Sequence, residues 1–222
     1  NKDITDSINY AQRIQQAKLP NKKNIYAVLP QSFILYKPKD IVSGDFYFFY
    51  KTQHQLFIAA VDCTGHGVPG VIMSMICSEK LYQAVIHYKD VAEILKNINQ
   101  EIIASLRQTE SDDSTRDGMD IALCAFELPM SFEKDKKVVL NYAGANRPLW
   151  LIRKGKNELE EITATKRAIG GFTNSNIAFE KHCISLEKGD TFYIFSDGYA
   201  DTFGGDLGKK LTTKNFKNLL LQ

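Results

Sequence analysis

Short apolar runs and two long helical stripes follow one another along this chain, and their order predicts its architecture. Ile4, Ile8, Ala11 and Ile14 recur at helical spacing between Asp3 and Lys18, and Pro20 closes that segment. Runs rich in Val, Ile, Phe and Tyr predict three strands, Ala27 to Tyr36, Asp45 to Tyr50 and Leu56 to Val61. Gly65 to Gly70 turns the chain into an apolar helix from Val71 to Ile86, with Pro69 placed near its first turn. The next helix, Val91 to Leu106, carries Val91, Ile94, Leu95, Ile98, Ile102 and Leu106 on one face. Gln108 to Gly118 is polar and without period, which predicts a mobile loop. Five further strands are expected: Met119 to Glu127, Val138 to Ala143, Leu149 to Ile152, Ile177 to Ser185 and Thr191 to Phe195. A glycine-rich stretch, Phe203 to Gly208, leads to a last helix whose apolar residues are Phe216, Leu219, Leu220 and Leu221.

Strands, then two helices, then strands again do not alternate as a doubly wound βαβ sheet would. The order predicts an α+β fold, a layered α-β-β-α sandwich of two antiparallel sheets flanked by helices. Two stacked sheets leave a cleft at one edge, and three aspartates are placed to meet there. Each ends a strand-like run and has glycine close by: Asp45 in Ser43-Gly44-Asp45, Asp62 ahead of Gly65 and Gly67, and Asp197 before Gly198. A carboxylate buried alone is costly by several kcal/mol, so acids at strand ends are most simply explained by a shared divalent cation. Ligation by oxygen alone points to magnesium or manganese. Taken one at a time, Asp45 and Asp62 fit a turn or cap role better than a metal role, as Asp beside Gly commonly does.

With 222 residues, 44% hydrophobic and 24% charged, the chain can bury one core. The expected division is an N-terminal helical appendage, residues 1–20, and one domain, residues 21–222. A formal net charge of +2 gives no field of the kind that recruits nucleic acid or an anionic membrane. Cys63, Cys77, Cys124 and Cys183 are far apart and show no zinc or redox spacing, which suggests reduced thiols of a cytoplasmic protein. No run reaches the roughly 18 apolar residues that span a bilayer, and no signal peptide opens the chain, so direct membrane insertion is not expected. The first residue is Asn rather than Met, which points to a piece of something longer.

Four stretches carry a resemblance when taken in order: Lys39 to Tyr47 (KDIVSGDFY), Val61 to Gly70 (VDCTGHGVPG), Tyr142 to Leu149 (YAGANRPL) and Phe195 to Gly198 (FSDG). Together they resemble the metal-dependent type-2C serine/threonine protein phosphatases, in the bacterial SpoIIE/RsbU-like branch, from about Ser7 to the C-terminus. The resemblance implies that Asp45, Asp62 and Asp197 are the catalytic acids and that they hold two Mn2+ or Mg2+ ions. Asp45 binds one ion, Asp62 bridges both, the backbone carbonyl of Cys63 ligates while its thiol is incidental, and Asp197 binds the other. Two such cations lower the pKa of a shared water and clamp the phosphoryl oxygens, so no covalent intermediate is needed.

One departure stands out. The family completes its second metal site with an acidic pair on a final strand, whereas this chain ends in Leu219-Leu220-Leu221-Gln222, and Asp201 and Asp206 lie too close to the S-D-G motif. The expectation is a domain truncated before its last strand, with an incomplete second site. Asp120, which opens a strand after Gly118, is the remaining acid able to approach the metals; His66 and Lys39 read as turn and surface residues. The loop Gly65 to Gly70 lacks the Walker lysine, which argues against nucleotide binding. The implied partners are a phosphoprotein substrate, often an anti-sigma-factor antagonist in this branch, and upstream sensor domains acting through the Ile4 to Leu19 helix, commonly as a homodimer. Period alone shows only an amphipathic helix that packs on its own domain equally well. The competing reading is a signalling pseudophosphatase that binds its partner without turnover, against which the retained acids argue.

Overall fold

The computed structural model describes residues 2–109, 115–130, 137–171, 174–204 and 208–222. Helix α1 runs over Lys2–Lys18, as its stripe predicts. Its apolar stripe is only partly packed, since Ile4 is 64% exposed and Ile14 45%, whereas Gln15 is buried. The expected strand from Ala27 to Tyr36 is not one. Ala27 and Val28 end a short helix, α2 (Lys22–Val28), whose N-cap Asn21 accepts a hydrogen bond from the Lys23 amide. Pro30 and Pro38 cannot donate to a ladder, and Phe33 and Leu35 stay exposed along an irregular path to Asp45.

Strands β1 (Phe46–Lys51) and β2 (Gln55–Cys63) form a hairpin, followed by α3 (Gly67–His87) and α4 (Val91–Ser105). Helix α3 starts four residues earlier than its apolar run suggests, because Pro69 lacks an N–H and fits a first turn. Asp90 caps α4 by accepting from the Ala92 and Glu93 amides. After α4 come β3 (Gly118–Glu127), β4 (Val138–Ala145), β5 (Leu149–Ile152), β6 (Leu159–Ile162), β7 (Ile169–Gly170), β8 (Lys181–Leu186) and β9 (Thr191–Tyr193). A hairpin of β10 (Phe203–Gly204) and β11 (Lys209–Lys210) leads into α5 (Thr212–Leu220). The loop expected from Gln108 to Gly118 falls partly on residues 110–114, outside the described residues, as does Asp206 in the glycine-rich stretch.

Among the described residues, two antiparallel sheets stack, beside the two-stranded β10–β11 hairpin. The larger has the order β1-β2-β3-β4-β8 with β7 on the end of β3, and the smaller has the order β6-β5-β9. Period two then sorts side chains by face. Phe57, Ala59, Val61 and Cys63 of β2 and Met119, Ile121, Leu123 and Ala125 of β3 point to α3 and α4, meeting Met73, Cys77, Leu81, Ile94, Leu95, Ile98 and Ile102. The alternate residues, Leu56 of β2 with Ala122, Cys124 and Phe126 of β3, face the second sheet and pack on Leu149, Leu151, Ile162 and Phe192. Trp150, on the far face of the second sheet, is covered by Phe216 of α5. The layers are helix, sheet, sheet, helix, as expected from the order of elements.

Candidate metal centre and active site

Asp62 and Asp120 belong to the face that looks between the sheets, and the β2–β3 register sets them directly opposite each other. The β1–β2 ladder begins at Phe46 opposite Val61, so Asp45 enters the same edge one residue earlier. Backbone contact fixes this corner. A Cβ added to Gly44 would lie 2.9 Å from the Gly65 carbonyl oxygen and 3.0 Å from that of Cys63, and one added to Gly70 would lie 2.6 Å from the Gly65 oxygen. Side chains would push the two motifs apart, which is why glycine stands at both positions. The Cys63 carbonyl therefore faces the Ser43–Asp45 turn. Its thiol points the other way, buried and hydrogen-bonded to Cys77, and both effects raise its pKa.

The last acid arrives after β9. Ser196 donates its hydroxyl proton to Asp45 Oδ2 at 2.5 Å, and Asp197 follows it into the cluster. From the turn after β4 comes the residue that the sequence reading assigned no role, Arg147. Its Nη2 lies 2.8 Å from Asp62 Oδ2, 3.2 Å from Asp120 Oδ2 and 2.8 Å from Asp197 Oδ2. The amide of Asn146 donates to Asp120 Oδ1 at 2.8 Å. The cluster thus joins all three expected acids and adds Asp120, Arg147, Asn146 and Ser196. The register of β2 and β3 is the signal for Asp120; a turn arginine has no comparable signal. Gln15 of α1 also reaches this corner: its amide donates to the Ser43 carbonyl at 2.6 Å and to Ser74 Oγ of α3, and accepts from the Ser43 N–H.

Other candidates stay outside. Asp201 pairs with Lys210 at 2.7 Å, turned toward the β10–β11 hairpin. His66 is almost fully exposed and lies 3.7 Å from Asp40.

The electrostatics follow from four carboxylates and one guanidinium. Burial is the main cause that raises Asp45 above the ordinary carboxylate range, opposed by the Ser196 hydroxyl. Burial and then the charge of Asp45 push Asp62 up to about 7. For Arg147, burial disfavours the charge, but Asp62, Asp197 and Asp120 outweigh it and raise its pKa. Nη2 carries two protons, and these go to Asp120 and Asp197. Asp62 Oδ2 is left buried with a charge nearby and no hydrogen bond, and Arg147 Nε is likewise buried without an acceptor. Among the described residues no three His, Cys, Asp or Glu side chains form a finished cation cage. The donor set nonetheless fits a hard cation: carboxylate oxygens from four segments, one of them lacking a partner, with a carbonyl turned toward the same corner.

Stacked antiparallel sheets between helices, with aspartates gathered at one edge, define a domain of the PP2C phosphatase class. The family model of Stage II sporulation protein E (SpoIIE) matches residues 52–221, and the chain belongs to that family. It is similar to phosphoserine phosphatase RsbU of Bacillus subtilis (strain 168), with 25% identity over 203 residues, 90% of this chain and 55% of that protein. The chain therefore spans about half the length of that curated relative. Among solved structures, the SiaA-PP2C domain of Pseudomonas aeruginosa is 32% identical with a TM-score of 0.80, over 99% of this chain and 82% of that one. RsbX in complex with magnesium shares the fold, with 17% identity and a TM-score of 0.53 over 85% of this chain and 83% of its own.

Proposed function

We propose that this chain removes phosphate from phosphoserine or phosphothreonine on a signalling protein in a reaction that depends on Mn2+ or Mg2+. The observation that carries the reading is the convergence of Asp45, Asp62, Asp120 and Asp197 from four separate segments onto one sheet edge. Asp45, Asp62 and the Cys63 carbonyl would hold a first ion, with Asp62, Asp197 and Asp120 available to a second. Such ions supply an activated water and neutralise charge on the phosphoryl oxygens. The rest is done by the chain itself. The Ser196 hydroxyl fixes the Asp45 carboxyl, the β2–β3 ladder fixes Asp62 against Asp120, and the Asn146 amide sets the rotation of Asp120. Asp197, whose side chain is 52% exposed, is where the cluster meets solvent and a phosphorylated side chain would approach.

The partner is proposed to be a phosphoprotein of the anti-sigma-factor-antagonist type, supported by the likeness to RsbU. The exposed Ile4 and Ile14 of α1 support a contact with a second copy or with upstream sensor domains. A cytoplasmic setting is supported by four unpaired cysteines, and among the described residues no helix is long and apolar enough to cross a membrane.

The test is hydrolysis of p-nitrophenyl phosphate and of a phosphoserine peptide, with Mn2+ and with a chelator, by the parent and by Asp62→Asn. Turnover is expected only from the parent with metal, and both proteins should give the same circular dichroism spectrum. Turnover by the variant or in chelator refutes the metal reading. Absence of turnover by the parent under all conditions assigns the chain to partner binding without catalysis.

A further inference from the structure

Arg147 stands in the middle of the acid cluster, and its surroundings show what it does there. Its backbone is fixed: the Tyr142 hydroxyl donates to the Arg147 carbonyl at 2.6 Å, and the preceding Asn146, at φ 57°, donates its N–H to the Thr165 carbonyl at 2.9 Å. The side chain beyond that anchor is long and unbranched. Its terminal Nη2 lies within 3.2 Å of oxygens from Asp62, Asp120 and Asp197, the shared centre of three carboxylates.

That seat is held incompletely. Two protons serve three carboxylates, so Asp62 Oδ2 has none, and Nε is buried with no acceptor. Unsatisfied buried groups of this kind disfavour the arrangement. Counting Asp45, four carboxylates face one guanidinium, so the pocket remains short of positive charge. A divalent ion bonds carboxylate oxygens at about 2.0–2.6 Å, and an ion placed among these three oxygens would overlap Nη2 in space and repel its charge. The two cations cannot share the centre.

We infer that Arg147 is a tethered counter-cation that occupies the shared centre of Asp62, Asp120 and Asp197, and that a divalent ion must displace it to bind there. The inference rests on the metal-dependent reading above. It makes Arg147 a positioning residue with two effects. In the absence of metal it holds mutually repelling acids together, so the edge stays assembled. It also raises the metal concentration needed for loading, because apparent affinity falls in proportion to the fraction of molecules in which the guanidinium has left. With that fraction at or below about one in ten, removing the side chain tightens metal binding by about tenfold or more. An arginine that was merely structural would give the opposite result, since losing it would loosen the ligands.

The experiment is calorimetric titration of Mn2+ into the parent chain and into Arg147→Ala, with thermal melts of both in chelator. The expected result is a variant that melts lower without metal yet binds Mn2+ about tenfold or more tightly, so that its gain in Tm on adding Mn2+ exceeds that of the parent. Equal or weaker binding by the folded variant overturns the inference and leaves the metal reading standing. Binding by neither protein overturns both. A second measurement does not depend on the alanine variant folding without metal. The arginine Nε–Hε resonances of the parent are followed by NMR during titration with Mg2+, with Arg147 assigned by its loss in Arg147→Lys. A displaced guanidinium shifts that resonance as Mg2+ saturates, and a resonance that stays in place overturns the inference.

Discussion

Asp190 offers a sharp test of how the second sheet is tied to the first. Its side chain is 3% exposed and joins three strand ends. Oδ1 accepts from the Lys154 N–H just after β5, and Oδ2 accepts from the Glu187 N–H just after β8 and from Arg153 Nη1, each within 3.0 Å. Strand β9 starts at the next residue and runs on toward Ser196 and Asp197. In Asp190→Asn one oxygen becomes an NH2 group that meets a donor in either orientation. In the better orientation Glu187 and Arg153 are kept, Lys154 loses its acceptor, and the remaining bond to Arg153 loses its charge assistance. A lost hydrogen bond to a charged group is worth about 1.5–3 kcal/mol and a neutral one about 1. Arg153 is one-third exposed and Lys154 open to water, so the lower end applies, giving a loss of about 1–3 kcal/mol. The pH dependence adds a second check. Burial opposes ionisation of Asp190, but the Lys154 and Glu187 amides and Arg153 outweigh it and hold its pKa below the ordinary 3.8. Between those two values the unfolded chain binds the extra proton, so stability rises with pH through that window. The contribution is complete above the unfolded value and is lost as pH falls through the folded one. The gap between parent and variant should therefore be full at pH 7 and shrink below about pH 4. Urea denaturation followed by the fluorescence of the single tryptophan, Trp150 on neighbouring β5, measures it. A gap under about 0.5 kcal/mol at pH 7, or one as large at pH 3 as at pH 7, refutes the reasoning.

Two further outcomes are expected. Trp150→Ala should lose about 3–5 kcal/mol in the same urea assay read by circular dichroism, because the ring is 1% exposed and packs on Phe195 and Phe216 at 4.1 and 5.1 Å; a loss below about 1 kcal/mol would mean that α5 does not depend on it. Ile4→Glu on the exposed side of α1 should change stability by no more than about 0.5 kcal/mol while lowering self-association measured by light scattering, and a clearly lowered melt would instead place Ile4 in the core.

Period two made the sheets legible, and with them the three aspartates at strand ends. Where the reading failed, the cause is specific. The run Ala27 to Tyr36 has strand-like composition, but Asn21 caps a helix through its first two residues, Pro30 removes a donor from the rest, and Pro38 follows just beyond it. Strand β6 (sequence LEEI) hides because it pairs only with β5 and exposes both glutamates. Strand β7 is two residues long, too short for any period to register. The start of β8 falls four residues later than composition suggests, since Ile177 closes a turn on Asn174 rather than joining the ladder.

The acids were legible in the sequence, and what holds them together was not. An aspartate at the end of an apolar run is conspicuous because burial alone would be costly. Asp120 satisfies the same rule, yet it gains meaning only from a register that sets it opposite Asp62, 58 residues earlier in the chain. Arg147 and Gln15 carry no such mark. A glutamine inside a helix and an arginine in a turn both look solvated until tertiary structure supplies partners, here the Ser43 backbone for one and three carboxylates for the other. Both belong to the same design. Four acids at one sheet edge repel each other, so the corner needs positive charge and backbone restraint from elsewhere in the chain. Arg147 supplies the charge from the turn after β4, and Gln15 the restraint from α1. Residues that offset a strained cluster are chosen by where they reach, and reach is a property of the fold.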